Sequence, residues 1–129
     1  MAEIIKNPTT ECFMRWKEGM SEVVGEKNIS FGSSETMAHT PYASFIPLPD
    51  AENIDVSDMD GDENGIIIGF QTEVYATTNN KAYEYDDASR QIMKSMGFLV
   101  LSGRQRFEVK HNLIRIVSRF QMKYYGAFM

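Results

Sequence analysis

The stretch from Gly65 to Phe98 constrains the fold most, because its hydrophobic period changes once within it. Ile66, Ile68, Phe70, Thr72 and Val74 recur at every second position and are β-branched or aromatic, which predicts a strand. Ile67, Gln71, Glu73 and Tyr75 occupy the opposite face, which turns polar towards its end. Thr77-Thr78-Asn79-Asn80 breaks the pattern with residues that favour turns and helix caps. From Lys81 the period becomes helical, with Ala82, Tyr85, Ala88, Ser89, Ile92 and Met96 on one face. Gly97 stands where a left-handed cap belongs, and Phe98 is placed to fold back on the last turn. A strand, a tight turn and a helix closing over the sheet follow, and both apolar faces need partners elsewhere in the chain.

The flanking sequence supplies them. Asn7-Pro8 is a helix start, and Phe13, Trp16, Met20, Val23 and Val24 recur at helical steps until Gly25, predicting an amphipathic helix over about 8–25. Residues 28–39 are polar and read as a loop. Residues 41–46 form a short strand candidate, and Pro47 and Pro49 suggest a sheet edge, since proline cannot donate to the ladder. Phe98-Leu99-Val100-Leu101 is a short apolar strand, and Gly103-Arg104-Gln105-Arg106 reads as a basic turn. A long strand from about Val109 sets Ile114, Ile116, Ser118, Phe120, Met122 and Tyr124 against a basic stripe containing Arg115, Arg119 and Lys123. The simplest task for that stripe is pairing across the sheet with Glu73. Gly126-Ala127-Phe128-Met129 is an apolar tail, either frayed or docked on another subunit. The expected fold is α+β, a two-layer sandwich with a mostly antiparallel four-stranded sheet and two helices in the order α-β-β-α-β-β. Residues 1–129 form a single domain in this reading.

Residues 49–65 hold Asp50, Glu52, Asp55, Asp58, Asp60, Asp62 and Glu63 and no lysine or arginine. A connection of that length is functional or solvated. Asp58-Met59-Asp60-Gly61-Asp62 resembles the start of an EF-hand loop, but that loop needs glycine at its sixth position and glutamate at its twelfth. Glu63 and Gly69 stand there, and strands flank the segment where helices are required. A dedicated calcium site is therefore not expected.

Composition narrows the class further. With 43% apolar and 24% charged residues, 129 residues suit one globular core. No apolar run nears the ~20 residues that span a bilayer, so no membrane association is expected. Residues 1–6 lack the basic start and long apolar segment of a signal peptide. A net charge of −5 argues against phosphate binding as the main activity. The lone Cys12 excludes an internal disulfide and has no histidine near it in sequence, and His39 and His111 lie apart with no ligand or triad spacing. No phosphate loop or metal motif is present, so neither enzymatic activity nor a cofactor is expected.

Phe70-Gln71-Thr72-Glu73-Val74-Tyr75 followed by Met93-Lys94-Ser95-Met96-Gly97-Phe98 resembles the small tail-terminator, or tail-completion, proteins of long-tailed bacteriophages. In that family an aromatic-Gln-x-acidic-aliphatic-aromatic strand leads through an Asn-containing turn to a helix ending in Met-x-x-x-Gly-Phe. The likeness extends weakly to residues 41–45 and 115–120, and Phe120-Gln121-Met122 replaces the family's aromatic-Glu-Gly. The resemblance implies a structural virion protein of the neck region, assembled in the host cytoplasm. It implies a homo-oligomeric ring, usually a hexamer, capping the head-proximal end of the tail tube and supporting head–tail joining. Its partners would be the tail tube protein and the head connector, with genome DNA passing through the lumen without specific binding. The alternatives are a head-completion or neck protein and, from another class, a calcium- or metal-dependent module built on the acidic segment. Charge segregation suggests a subunit interface pairing Asp58, Asp60, Asp62 and Glu63 with Arg104, Arg106, Arg115, Arg119 and Lys123.

Overall fold

The computed structural model describes residues 8–32, 41–48, 66–101, 103–110, 113–125 and 128. Helix α1 (Thr9–Val24) leads through a 3-10 turn (Glu26–Asn28) into β1 (Ile29–Phe31), followed by β2 (Tyr42–Pro47) and β3 (Ile66–Ala76). Helix α2 (Asn79–Ser95), β4 (Leu99–Val100), β5 (Gln105–Lys110) and β6 (Leu113–Tyr124) complete the order. The architecture is α+β, with two described α-helices and a mixed six-stranded sheet. The order across the sheet is β1-β2-β3-β6, with β4 and β5 following one another along the far side of β6. β1 runs parallel to β2 and every other pairing is antiparallel.

Two strands correct the expected four. Ile29–Phe31 is too short to show a period and lies in a stretch read as a loop, yet it pairs with residues 43–45 of β2. Gln105–Lys110 was expected to begin as a turn, because charged and apolar residues alternate there without a buried face. Proline's edge signal needs a local correction too. β2 is internal over Ala43–Phe45, and Pro47 lies just past the end of β1, where no donor is required of it.

Both helices cover one face of the sheet. β3 contributes Ile68, Phe70, Thr72 and Val74 to it, and β6 contributes Ile114, Ile116, Ser118 and Phe120, all buried as the alternation requires. Trp16 of α1 packs 5.3 Å from Phe45, Phe45 lies 4.7 Å from Phe70, and Phe70 meets Phe98 edge-on at 5.7 Å. The buried Trp16 indole N–H donates to Ser89 Oγ at 2.9 Å, tying α1 to α2. Gly19 marks a close approach between them, since a Cβ there would stand 2.5 Å from Ile92 Cδ1.

Local signals account for the helix ends. Gly25, at φ 97°, stops α1 and donates to Ser21 O. Pro8 caps its start without a side-chain bond, and Asn7 lies outside the described residues. Thr78 Oγ1 accepts from Lys81 N–H at the start of α2, two residues before the expected Lys81. At its end Gly97 (φ 102°) donates to Lys94 O and Phe98 N–H to Met93 O, the paired bonds of a Schellman cap. The buried face of α2 differs from expectation. It comprises Ala82, Asp86, Ser89 and Met93, while Tyr85, Ala88 and Ile92 are only partly buried at its margin. Phe128 of the tail is docked on its own protomer, 5.0 Å from Tyr124 and beneath the Arg15 guanidinium.

Candidate interaction surface

Strand alternation turns Gln71, Glu73 and Tyr75 of β3 away from the helices, together with Arg115, Val117, Arg119, Gln121 and Lys123 of β6. Glu73 is the centre of this open face. It is 5% exposed, and its carboxylate accepts four hydrogen bonds. Arg115 supplies two, Nε to Oε1 at 3.1 Å and Nη2 to Oε2 at 2.9 Å. Tyr75 OH donates to Oε1 at 2.9 Å and Gln71 Nε2 to Oε2 at 2.7 Å. Burial pushes the Glu73 carboxyl up, but these donors outweigh it and hold the group below its usual range. Burial and the Glu73 charge push Tyr75 up to about 12, so its hydroxyl keeps the donated proton. Bonding to Glu73 raises Arg115, whose guanidinium also lies 5.1 Å above the Phe107 ring. Pairing between this stripe and Glu73 follows the sequence expectation, through Arg115 on the diagonal rather than Val117 directly opposite.

The other predicted interface residues divide sharply. Arg104 faces the helix layer, with Nε 3.2 Å from Asp86 Oδ2 and Nη2 2.6 Å from Asp87 Oδ1, and it lies over the Tyr83 ring. Arg106 donates to Asn79 Oδ1 at 2.7 Å and pairs with Glu108. Arg119 is exposed, donates to Gln71 Oε1 at 2.9 Å and has no carboxylate partner among the described residues. Lys123 is also exposed and forms no ion pair with a described residue. Asp58, Asp60, Asp62 and Glu63 lie outside the described residues, as do His39 and His111.

Periodicity did not reveal Asp86, which is fully buried beneath α2. Ser118 Oγ donates to its Oδ1 at 2.9 Å, and Arg90 Nε and Arg104 Nε approach its Oδ2 at 3.0 and 3.2 Å. Burial raises this carboxyl above its usual range, while Ser118 and the two arginines pull it down without prevailing. The cluster ties α2 to β6 and to the connection between β4 and β5. No sequence period could find it, because Arg104 and Ser118 meet Asp86 only through the fold. Among the described residues, Arg90 Nη2 and Thr72 Oγ1 are buried without a hydrogen-bond partner.

The Cys12 thiol is buried, and burial together with Glu11 pushes it up to about 12, so it remains protonated at neutral pH. Among the described residues no group of histidine, cysteine and carboxylate side chains is placed to hold a metal, and no helix is long and apolar enough to cross a membrane. A depression at the start of α2 is lined by Thr78, Asn79, Arg106 and Glu108, but Arg106 is bonded to Asn79 and Glu108. Among the described residues, the polar clusters hold strands and helices in place and leave Arg119 and Lys123 exposed on the open face.

No family model matches the sequence, and no curated protein matches it. Among solved structures, the chain is similar to one described as "Virion of native gene transfer agent (GTA) particle". The TM-score is 0.59 at 16% identity, over 83% of this chain and 84% of that one. At this identity the likeness is one of fold.

Proposed function

We propose that this protein is a structural component of a phage-like virion, which closes into a ring on the head-proximal end of a tail tube and supports attachment of the head. The observation that carries the reading is the fold shared with a chain of a gene transfer agent virion over most of both chains. The tail-terminator-like strand and helix motif, Phe70 to Tyr75 and Met93 to Phe98, supports the finer assignment. In this role no residue is catalytic. The protein acts by shape, stopping tube growth and presenting a new surface to the neck. Six copies, the tube protein below and the connector above are its expected partners, and DNA passes through the lumen without base recognition. The two-layer fold suits the task, because a rigid sheet with differing margins supports a head-to-tail contact that repeats around an axis.

Negative-stain electron microscopy and sedimentation of the purified protein test the proposal. Rings of uniform size are expected, and a protein that stays monomeric at high concentration overturns the ring reading. The shared fold equally accommodates a neighbouring neck protein. Antibody labelling of intact particles separates the two, since a tail terminator labels the end of detached tails and a head-completion protein labels detached heads.

A further inference from the structure

Among the described residues, the β4–β5 margin of the sheet is unusually apolar for a free surface. Leu99 is 72% exposed, Leu101 43% and Phe107 41%. Register places them on one face. Leu99 is opposite Gln121, Leu101 N–H donates to Arg119 O at 2.9 Å, and Phe107 is opposite Arg115. The three therefore line the open face beside the basic stripe. β5 turns Arg106 towards the helix layer, so its polar side is spent on Asn79 and Glu108, while on its apolar side Phe107 lies under the Arg115 guanidinium and still stays exposed. Exposed apolar side chains on an edge strand promote pairing with another chain unless a partner covers them.

Charge identifies the partner. Of 18 carboxylates, seven lie in residues 49–65 without a lysine or arginine, so the rest of the chain sets 13 basic residues against 11 acidic ones. On the apolar margin that excess takes the form of Arg119 and Lys123, which have no carboxylate partner among the described residues. The acidic segment is also far longer than the turn it joins. Leu48 N–H already bonds Gly69 O, a separation that two residues can close in a hairpin. Half of its 17 residues, extended, spans roughly 28 Å. Five strands side by side measure only about 24 Å. A neighbouring copy is within reach.

Resting on the ring reading, we infer that the open-face margin formed by Leu99, Leu101, Phe107, Arg119 and Lys123 receives the acidic segment, residues 49–65, of a second copy of this chain. The contact is head to tail. Arg119 and Lys123 set register and direction, and the leucines and Phe107 are the surface that becomes dry. Arg104, Arg106 and Arg115 of the sequence-based interface are excluded from it, because a carboxylate of its own protomer already holds each one.

A charge-swap experiment tests this. One variant carries Arg119→Glu and Lys123→Glu. The other carries Asp58→Lys, Asp60→Lys, Asp62→Lys and Glu63→Lys. Each alone is expected to retain its circular dichroism spectrum and to lose at least tenfold in ring fraction at equal concentration. An equimolar mixture is expected to regain rings, because every contact in an alternating ring is again between opposite charges. Rings from either variant alone, or a mixture that stays monomeric, overturn this contact and leave the ring reading standing. A wild-type protein that forms no rings overturns the ring reading itself.

Discussion

Replacing Glu73 by glutamine isolates the polar centre of the open face. The two Arg115 bonds are charge-assisted and worth about 1.5–3 kcal/mol each when well shielded. The Arg115 side chain is 31% exposed and can turn to water, so roughly 2 kcal/mol of destabilisation at pH 7 is expected for Glu73→Gln. With a urea dependence of about 1.5 kcal/mol per molar, the midpoint falls by roughly 1.3 M. Trp16, the one tryptophan and fully buried, reports the transition by fluorescence. The sign of the pH dependence follows from the direction of the shift. Glu73 lies below its ordinary value of 4.5 in the folded protein, so its contribution is fully present above that value and is lost as pH falls through the folded pKa. Glutamine does not titrate, and the other carboxylates are common to both proteins. The gap between wild type and variant should thus be widest at pH 7 and narrow progressively below pH 4.5. A gap equally wide at pH 3 would refute the argument, because the stabilisation would then not depend on the charge of Glu73.

Four further outcomes are expected. Gly19→Ala should destabilise by about 1–3 kcal/mol in urea unfolding despite alanine's better helix propensity, because the new methyl meets Ile92, and adding Ile92→Val should recover part of the loss. Phe70→Ala and Phe120→Ala should each cost about 3–5 kcal/mol, and near-wild-type midpoints would contradict the burial of this sheet face. Asp86→Ala should cost about 3 kcal/mol at pH 7, the low end for a broken buried pair, because Arg90 and Arg104 are left facing each other but keep some access to water. Thermal melts with calcium and with chelator should coincide, since the Asp58–Asp62 stretch lacks EF-hand spacing, and a shift of many degrees at sub-millimolar calcium would restore the metal-dependent reading.

What the sequence disclosed depended on how local its cause was. The β3–α2 unit was readable because each part is set by near neighbours: alternation from Ile66 to Val74, the Thr78 cap, and Gly97 with Phe98 closing the helix. β1 was hidden because three residues cannot display a period, and β5 because its side chains stay exposed on both faces. The face of α2 was misjudged for a different reason. Tyr85, Ala88 and Ile92 form a plausible apolar stripe, and a carboxylate is the last residue a pattern would bury. Asp86 is inside because Ser118, 32 residues away, and Arg104 meet it there, and no local rule contains either partner.

The same distinction reshapes the candidate site. Charge segregation along the chain grouped five basic residues as one surface, but a charge pattern does not say which cations the fold has already used. Arg115 is bonded to Glu73, Arg104 to Asp86 and Asp87, and Arg106 to Asn79 and Glu108. Substituting any of these disturbs a strand or a helix, so a loss of assembly in such a variant would not separate contact from folding. Arg119 and Lys123 differ because both are exposed and no described carboxylate holds them. A charge reversed there removes the Arg119–Gln71 bond at the margin of the Glu73 cluster but breaks neither the Arg115–Glu73 pair nor those of Asp86. Because no described ion pair is lost, these two residues are the discriminating probes of how copies of this chain meet.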